Sequence, residues 1–395
     1  MKVDHIRFYV EDAAACRNWL VEKLGFRAIA REQTNDSYLE VVQAGTACLV
    51  LGSPKTNQGD IATFLQHHPP GVADLAFGVP DLAAAIRRAE ANAARLLQPV
   101  QTVALPNGRI SWVTIAACGD LTHTLIERTG PTFLLPSNLA RTEPSAVVPL
   151  EQAVESGTVV GSHSPRRSPI HPQEALLGID HIVLNVAAGS LDQTVAWYEA
   201  VLGLQPDQEF QIETAHSALR SRVMRHPSGN LQLPINEPTS ATSQIQEFLE
   251  WNGGPGIQHL ALEVRDLPHT IGYFHSQGLS TLPVPSAYYA QLRQQAALVL
   301  PEDFLQQLEA NQLLIDWQDS PATAVLLQTF TQPIFPQPTF FFELIERQVD
   351  LADGVRCRAQ GFGERNFRAL FEAIEREQMK RGSLLQGDRA GQELK

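Results

Sequence analysis

The chain writes one strand twice, as "PPGVADLAFGV" (Pro69–Val79) and "GPGIQHLALEV" (Gly254–Val264). Both run Pro-Gly-aliphatic, two variable residues, Leu-Ala, two more variable residues, then Val. A Pro-Gly turn followed by such an apolar run reads as a buried strand. The copies differ at one position that matters chemically: Asp74 in the first, His259 in the second. A strand copied with its imidazole in only one copy points to a duplicated fold with one working site.

Working outward, three more pairs appear in the same order. "VDHIRFYV" (Val3–Val10) matches "IDHIVLNV" (Ile179–Val186). "VPDLAAAIRRAEANAARL" after the first strand matches "VRDLPHTIGYFHSQGLSTL" after the second. "THTLIER" (Thr122–Arg128) matches "FFELIER" (Phe341–Arg347). Four matched segments in one order indicate tandem duplication. "AAACRNWLVEKLGF" and "LDQTVAWYEAVLGL" carry apolar residues near helical spacing, and Gly25 and Gly203 fall where a helix ends in a left-handed residue. The expected class is α+β: tandem βαβββ modules forming two half-open barrels, followed by a C-terminal helix. Expected domains are 1–135, a barrel without a metal site that serves structure or an interface; 136–176, a Ser/Pro/Gly-rich linker; and 177–395, a catalytic barrel with a terminal lid. That lid is "GERNFRALFEAIEREQMKRGSL". Its Phe367, Leu370, Phe371 and Ile374 share one apolar helix face that must rest on something.

Composition narrows the function classes. The 395 residues are 44% hydrophobic and 18% charged, which is globular composition. The net charge of −13, with no basic block, argues against nucleic acid and anionic membranes as partners. No apolar run is long enough to cross a bilayer, and "MKVDHIRFYV" lacks the core of a secretory signal, so a cytoplasmic location is expected. Cys16, Cys48, Cys118 and Cys357 form no CxxC pair and read as reduced thiols.

At matched positions the second half offers His181, His259 and Glu343, where the first offers His5, Asp74 and Thr124. A lone strand histidine is ordinarily a hydrogen-bonded core residue, and a glutamate near a sheet end is ordinarily solvated. The comparison separates this set, because the first half cannot assemble the same donors. Two imidazoles and a carboxylate from separate strands are the ingredients of the facial triad, which holds Fe(II) and leaves coordination positions open.

The second half resembles the 4-hydroxyphenylpyruvate dioxygenase family of the vicinal-oxygen-chelate superfamily. "GIDHIVLNV", "SALRSRVM", "LPINEP", "SQIQEFLEWNGGPGIQHLAL", "LLQTFTQP", "FFELIER" and "QGFGERNFRALFEAIEREQ" carry the resemblance. The first half matches more loosely, through "DHIRFYV", "LGFRAIA" and "GDLTHTLIER". The resemblance implies an Fe(II) enzyme that converts 4-hydroxyphenylpyruvate and O₂ to homogentisate and CO₂. It implies His181, His259 and Glu343 as iron ligands. It also implies Ser221, Asn236, Gln244, Gln258 and Gln328 as polar groups acting on substrate, and Pro234, Phe330, Phe341, Phe362, Asn366 and Phe367 as substrate-binding positions. Aromatic rings suit an aromatic substrate, and neutral amides can bind its phenol and carboxylate without adding charge. A homo-oligomer, dimer or tetramer, is expected. Glu364-Arg365 stands where the family has Lys-Gly, a stiffer turn at the lid. Three other readings compete: a 4-hydroxymandelate synthase, an extradiol ring-cleaving dioxygenase, and a metal-free protein that sequesters aromatic ligands. Phe341 and Asn236 resemble the ring-hydroxylating pattern and favour homogentisate.

Overall fold

The computed structural model describes residues 1–105, 108–130, 174–214, 217–229, 231–294, 300–317, 324–352 and 355–382. The first half contains β1 (Lys2–Tyr9), α1 (Ala13–Leu24), β2 (Arg27–Gln33), β3 (Ser37–Ala44), β4 (Ala47–Pro54), α2 (Asp60–His67), β5 (Gly71–Gly78), α3 (Leu82–Ala91), β6 (Gln101–Leu105), β7 (Gly108–Ala116) and β8 (Thr122–Thr129). The second begins with β9 (Leu176–Asn185), α4 (Leu191–Trp197), β10 (Gln205–Glu213), β11 (Ala218–Arg225), β12 (Gln232–Pro238), α5 (Gln244–Asn252) and β13 (Gly256–Val264). It continues through α6 (Leu267–Ser276), α7 (Ser286–Gln294), α8 (Glu302–Ala310), β14 (Leu314–Trp317), β15 (Val325–Phe330) and β16 (Phe341–Arg347). A hairpin of β17 (Val349–Ala352) and β18 (Val355–Arg358) then leads to α9 (Glu364–Arg381).

The two eight-stranded sheets have one topology. Their orders are β2-β3-β4-β1-β5-β8-β7-β6 and β10-β11-β12-β9-β13-β16-β15-β14. Each is a pair of βαβββ modules joined through the antiparallel pairing of their first strands, β1 with β5 and β9 with β13. The duplication read from the repeats is therefore a duplication of fold. Most of the 136–176 linker lies outside the described residues, and its last residue, Leu176, already opens β9.

Local chemistry sets the element ends. Asp12 accepts from the Ala14 and Ala15 N–H groups, and Asp81 from that of Ala84, as N-caps do. Gly25 closes α1 at φ 71°. The helix expected to end at Gly203 does end there, at φ 71°, but departs from the regular α form: after Trp197 it widens into a π turn, Tyr198–Leu202. The π turn carries the fully buried Tyr198, whose Oη lies 2.9 Å from His123 Nε2 of β8. The halves thus share one core. Phe8 meets Phe340 edge-on at 5.0 Å between ring centroids, and Trp19 stacks on Phe342 at 6.4 Å. The turns that open the two quoted strands also touch, with His68 Nδ1 2.6 Å from the Asn252 carbonyl.

Burial pushes the His123 pKa down to about 3. In the unfolded chain it titrates near 6.5, so between these values unfolding takes up a proton and stability falls as pH drops. At about 1.4 kcal/mol per unit, the loss between pH 6.5 and pH 5 is roughly 2 kcal/mol. Denaturant unfolding at pH 7 and pH 5 is expected to show a stability loss smaller by about that amount in His123→Gln than in the parent. Parallel losses would contradict it.

Candidate metal centre and its pocket

β9, β13 and β16 are neighbours, and their register gathers the donors. His181 stands opposite Ala261, which stands opposite Glu343; His259 stands opposite Val183. His181, His259 and Glu343 are all buried, and one ligand atom from each lies within 4.8 Å of the others. Glu343 Oε2 is 3.3 Å from His181 Nε2 and 3.6 Å from His259 Nε2.

Two β-bulges make this convergence possible. The β9–β13 pairing steps from His181↔Ala261 to Ile179↔Leu262, leaving Asp180 as an extra residue. It steps again between His259↔Val183 and Ile257↔Leu184, leaving Gln258 extra. In a regular strand, neighbouring side chains face opposite ways. A bulge re-aims the extra one. Each histidine therefore has its preceding residue's oxygen at Nδ1: Asp180 Oδ1 at 2.8 Å from His181, and Gln258 Oε1 at 3.3 Å from His259. Each oxygen can accept from Nδ1–H and leaves Nε2 facing Glu343, the arrangement metal-binding histidines use.

The electrostatics agree. Burial alone would lower the His181 pKa, but the Glu343 carboxylate and the Asp180 hydrogen bond outweigh it and raise the ring to about 9. Burial pushes His259 down, with Glu343 only partly opposing. Burial would raise Glu343, yet the two imidazoles hold it at about 2. The cluster thus keeps a buried carboxylate anionic by surrounding it with groups that favour its charge. Asp180 is held well below the usual carboxylate range: burial opposes this, and the Arg347 guanidinium overcomes it with a two-pronged bridge of 2.6 and 2.7 Å. Two nitrogen donors, one oxygen donor and no thiolate suit a divalent ion of intermediate softness such as Fe(II).

The first half keeps the frame and loses the donors. Arg128 bridges Asp4 at 2.8 and 2.9 Å, and Asp4 meets His5 Nδ1 at 2.9 Å. Asp74, opposite Arg7, accepts from Thr122 at 2.6 Å and from Thr124 at 3.0 Å. The strand pairings put Leu39 where Ser221 stands, Val50 where Pro234 stands and Gly52 where Asn236 stands. A Cβ on Gly52 would lie 2.8 Å from the Ile61 side chain, so α2 presses directly onto the barrel interior. Ala30, Leu39, Val41, Val50 and Ile61 pack there as an apolar cluster.

In the second half that interior is a pocket beside the three donors, with about 600 Å³ of empty space when its open mouth is included. Ser221 of β11 and Asn236 of β12, paired in register, line it together with Pro234, Gln258, Phe330 and Phe362. Gln244 lines it from the first turn of α5, and its buried Oε1 has no hydrogen-bond partner among the described residues. Among the described residues no lysine or arginine lines the pocket. Phe341 stands behind this wall, stacked on the His259 ring at 4.7 Å.

Gln328 and Asn366, expected to contact substrate, hydrogen-bond within the protein. Gln328 Nε2 donates to Glu343 Oε1 at 2.8 Å and to the Phe362 carbonyl at 3.0 Å, and its Oε1 accepts from Asn366 Nδ2 at 2.8 Å. Both amides thus join the donor set to α9 rather than line the pocket. The Phe367 side chain lies outside the described residues. Leu370, Phe371 and Ile374, the helix face expected to rest on something, roof the pocket. Sequence reasoning did not single out Val183, Phe210, Ile212, Leu219, Val223 or Ile245. The apolar-polar alternation of "EFQIE" was the available signal for Phe210 and Ile212.

Gly361 and Gly363 take φ 82° and 77°, and a Cβ on Gly363 would collide with Gln328 Oε1. At the variant position in this turn, Arg365 bridges Asp316 at 3.1 Å and lies 4.5 Å above the Trp317 ring.

The chain's comparisons fit this geometry. The glyoxalase/bleomycin resistance protein/dioxygenase superfamily profile matches residues 2–110 and 178–303. A protein of Synechocystis sp. described only as uncharacterised is 31% identical, over 95% of this chain and 97% of its own. The 4-hydroxyphenylpyruvate dioxygenase of Coccidioides posadasii is 31% identical, over 97% of this chain and 94% of its own. A solved triple mutant of 4-hydroxymandelate synthase from Streptomyces coelicolor superposes with a TM-score of 0.77 at 27% identity, covering 95% of this chain and 98% of its own.

Two outcomes are expected. The protein binds one Fe(II) per chain under anaerobic titration, and His259→Ala weakens binding by more than the 10–100-fold typical of losing an outer-sphere partner. Unchanged affinity would contradict the site. Gly363→Ala is expected to lower stability by about 1–3 kcal/mol and expose α9 to proteolysis. A variant as stable and as resistant as the parent would contradict that packing.

Proposed function

The chain belongs to the 4-hydroxyphenylpyruvate dioxygenase family, within the glyoxalase/bleomycin resistance protein/dioxygenase superfamily, and on that premise we propose that it converts 4-hydroxyphenylpyruvate and O₂ to homogentisate and CO₂ with Fe(II). One observation carries the reading: three convergent metal donors open onto a pocket that is otherwise aromatic, aliphatic and neutral-polar. His181, His259 and Glu343 would hold the ion. When bound, Fe(II) supplies chelation of the keto acid and activation of O₂.

The protein's own residues do the rest. With neutral imidazoles and one carboxylate, the donors leave a divalent ion with a net charge of about +1, the attraction an anionic keto acid needs in a pocket where no described lysine or arginine stands. Phe330 and Phe362 are suited to confining the substrate ring. Gln244 Oε1 is a buried acceptor without a partner among the described residues, matched to a donating phenol hydroxyl. Ser221, Asn236 and Gln258 add hydrogen-bonding groups without formal charge. The Leu370, Phe371 and Ile374 face of α9 keeps water out, and α9 is proposed as a lid. The first half serves as scaffold, its barrel filled where the second is hollow.

The likeness to 4-hydroxymandelate synthase favours a second reading, in which the same substrate is hydroxylated at the benzylic carbon instead of the ring. The two products are isomers, so retention or NMR rather than mass separates them. Oxygen consumption coupled one-to-one to 4-hydroxyphenylpyruvate loss and CO₂ release, with a product that co-elutes with homogentisate, is the expected result. Co-elution with 4-hydroxymandelate would replace the first reading with the second. No Fe(II)-dependent oxygen consumption would overturn both.

A further inference from the structure

Two chains of hydrogen bonds leave the metal donors and end on the same segment. One runs from His181 Nδ1 to Asp180 at 2.8 Å, and through the Asp180–Arg347 bridge of 2.6 and 2.7 Å. From there Arg347 Nη1 donates to the Gly361 carbonyl at 2.8 Å and to the Ala359 carbonyl at 3.3 Å. The other runs from Glu343 through Gln328 to the Phe362 carbonyl and Asn366, whose Oδ1 accepts from Tyr288 at 3.0 Å. Both arrive between Ala359 and Asn366, the stretch that turns at two left-handed glycines into α9.

We infer that Arg347 is a positioning residue that couples a filled metal site to the seating of the terminal helix. The inference rests on the metal reading above. Arg347 is buried, and its planar fork lets one edge hold the Asp180 carboxylate while Nη1 holds two backbone carbonyls. An ion on His181 Nε2 fixes that ring, and the ring fixes Asp180 and the guanidinium in the orientation the Gly361 carbonyl requires. Conversely, when α9 leaves together with the segment before it, Arg347 loses its two carbonyl acceptors, and the loosened guanidinium weakens the hold on Asp180 and His181. Such coupling is reciprocal: whatever metal does for the helix, the helix does for metal affinity. The first half supplies an internal control. Arg128 bridges Asp4 beside His5 in the same way, but Asp74 and Thr124 stand where the other donors would be. The Asp–Arg bridge alone is therefore a feature of the repeated fold; its link to a metal and to α9 belongs to the second copy.

The test is hydrogen exchange of residues 364–381 in the full-length protein, metal-free and saturated with Fe(II) under anaerobic conditions, with Fe(II) affinity measured in parallel. In the parent, metal is expected to slow exchange of this helix several-fold. In Arg347→Gln, affinity falls about 10–100-fold and the slowing disappears even at saturation. Arg347→Lys, which pairs with Asp180 but lacks the fork, recovers part of the affinity without the slowing, and carries the comparison should Arg347→Gln not fold. Arg128→Gln keeps both at parental values. Metal binding without any slowing in the parent overturns this inference alone. So does slowing retained at saturation in both Arg347 variants, or slowing abolished equally by Arg128→Gln. A parent that binds no Fe(II) overturns the metal reading, and this inference with it.

Discussion

The structure depends on an oxygen placed against the outer nitrogen of each of two histidines. A regular strand cannot place it, because adjacent side chains face opposite ways. Each of the two histidines is therefore preceded by a bulged residue, Asp180 before His181 and Gln258 before His259, that turns toward its neighbour's ring. The outer contacts orient the rings, and the rings then face Glu343 from the adjoining strand. The buried Arg347 beneath Asp180 keeps that carboxylate ionised in an interior that would otherwise neutralise it. The remainder of the site — pocket walls, roof and amides — is arranged around this fixed point.

Duplication supplies the frame on which this arrangement is built. The same register shifts occur in β1–β5, with Asp4 and Ala73 as the extra residues, so the bulges belong to the common fold rather than to the site. What differs is what they present. In the first half, two threonines hold an aspartate and aliphatic side chains fill the barrel; in the second, the matching positions bring together His181, His259 and Glu343, a group able to hold a metal, and open a pocket. The filled half shares its core with the hollow one through Phe8, Trp19 and His123. Packing lost around the cavity is thus offset by a close-packed neighbour.

The architecture was legible because duplication writes each strand twice, and a repeated pattern is stronger than any single one. The grouping of His181, His259 and Glu343 was legible as differences between the copies. The bulges were not: they add one residue to a pairing, and strict alternation gives no reason to expect Gln258 and His259 on one face. Nor were the roles of Gln328 and Asn366 visible, since an amide's partner is set by strands and helices that meet only in three dimensions. Val223 and Leu219 read as ordinary strand residues, because aliphatic side chains look alike whether they face a core or a cavity. The apolar face of α9 was plain, and only the fold shows that it covers the pocket.

At the centre of the account is a ferrous ion held by His181, His259 and Glu343 that still has positions for a keto acid. Anaerobic absorption spectroscopy tests this most directly, by adding 4-hydroxyphenylpyruvate to the Fe(II)-loaded protein. A visible charge-transfer band that saturates at one equivalent, and is missing in Glu343→Ala, is the predicted result. A spectrum unchanged by the keto acid, or a band that persists without Glu343, would contradict it.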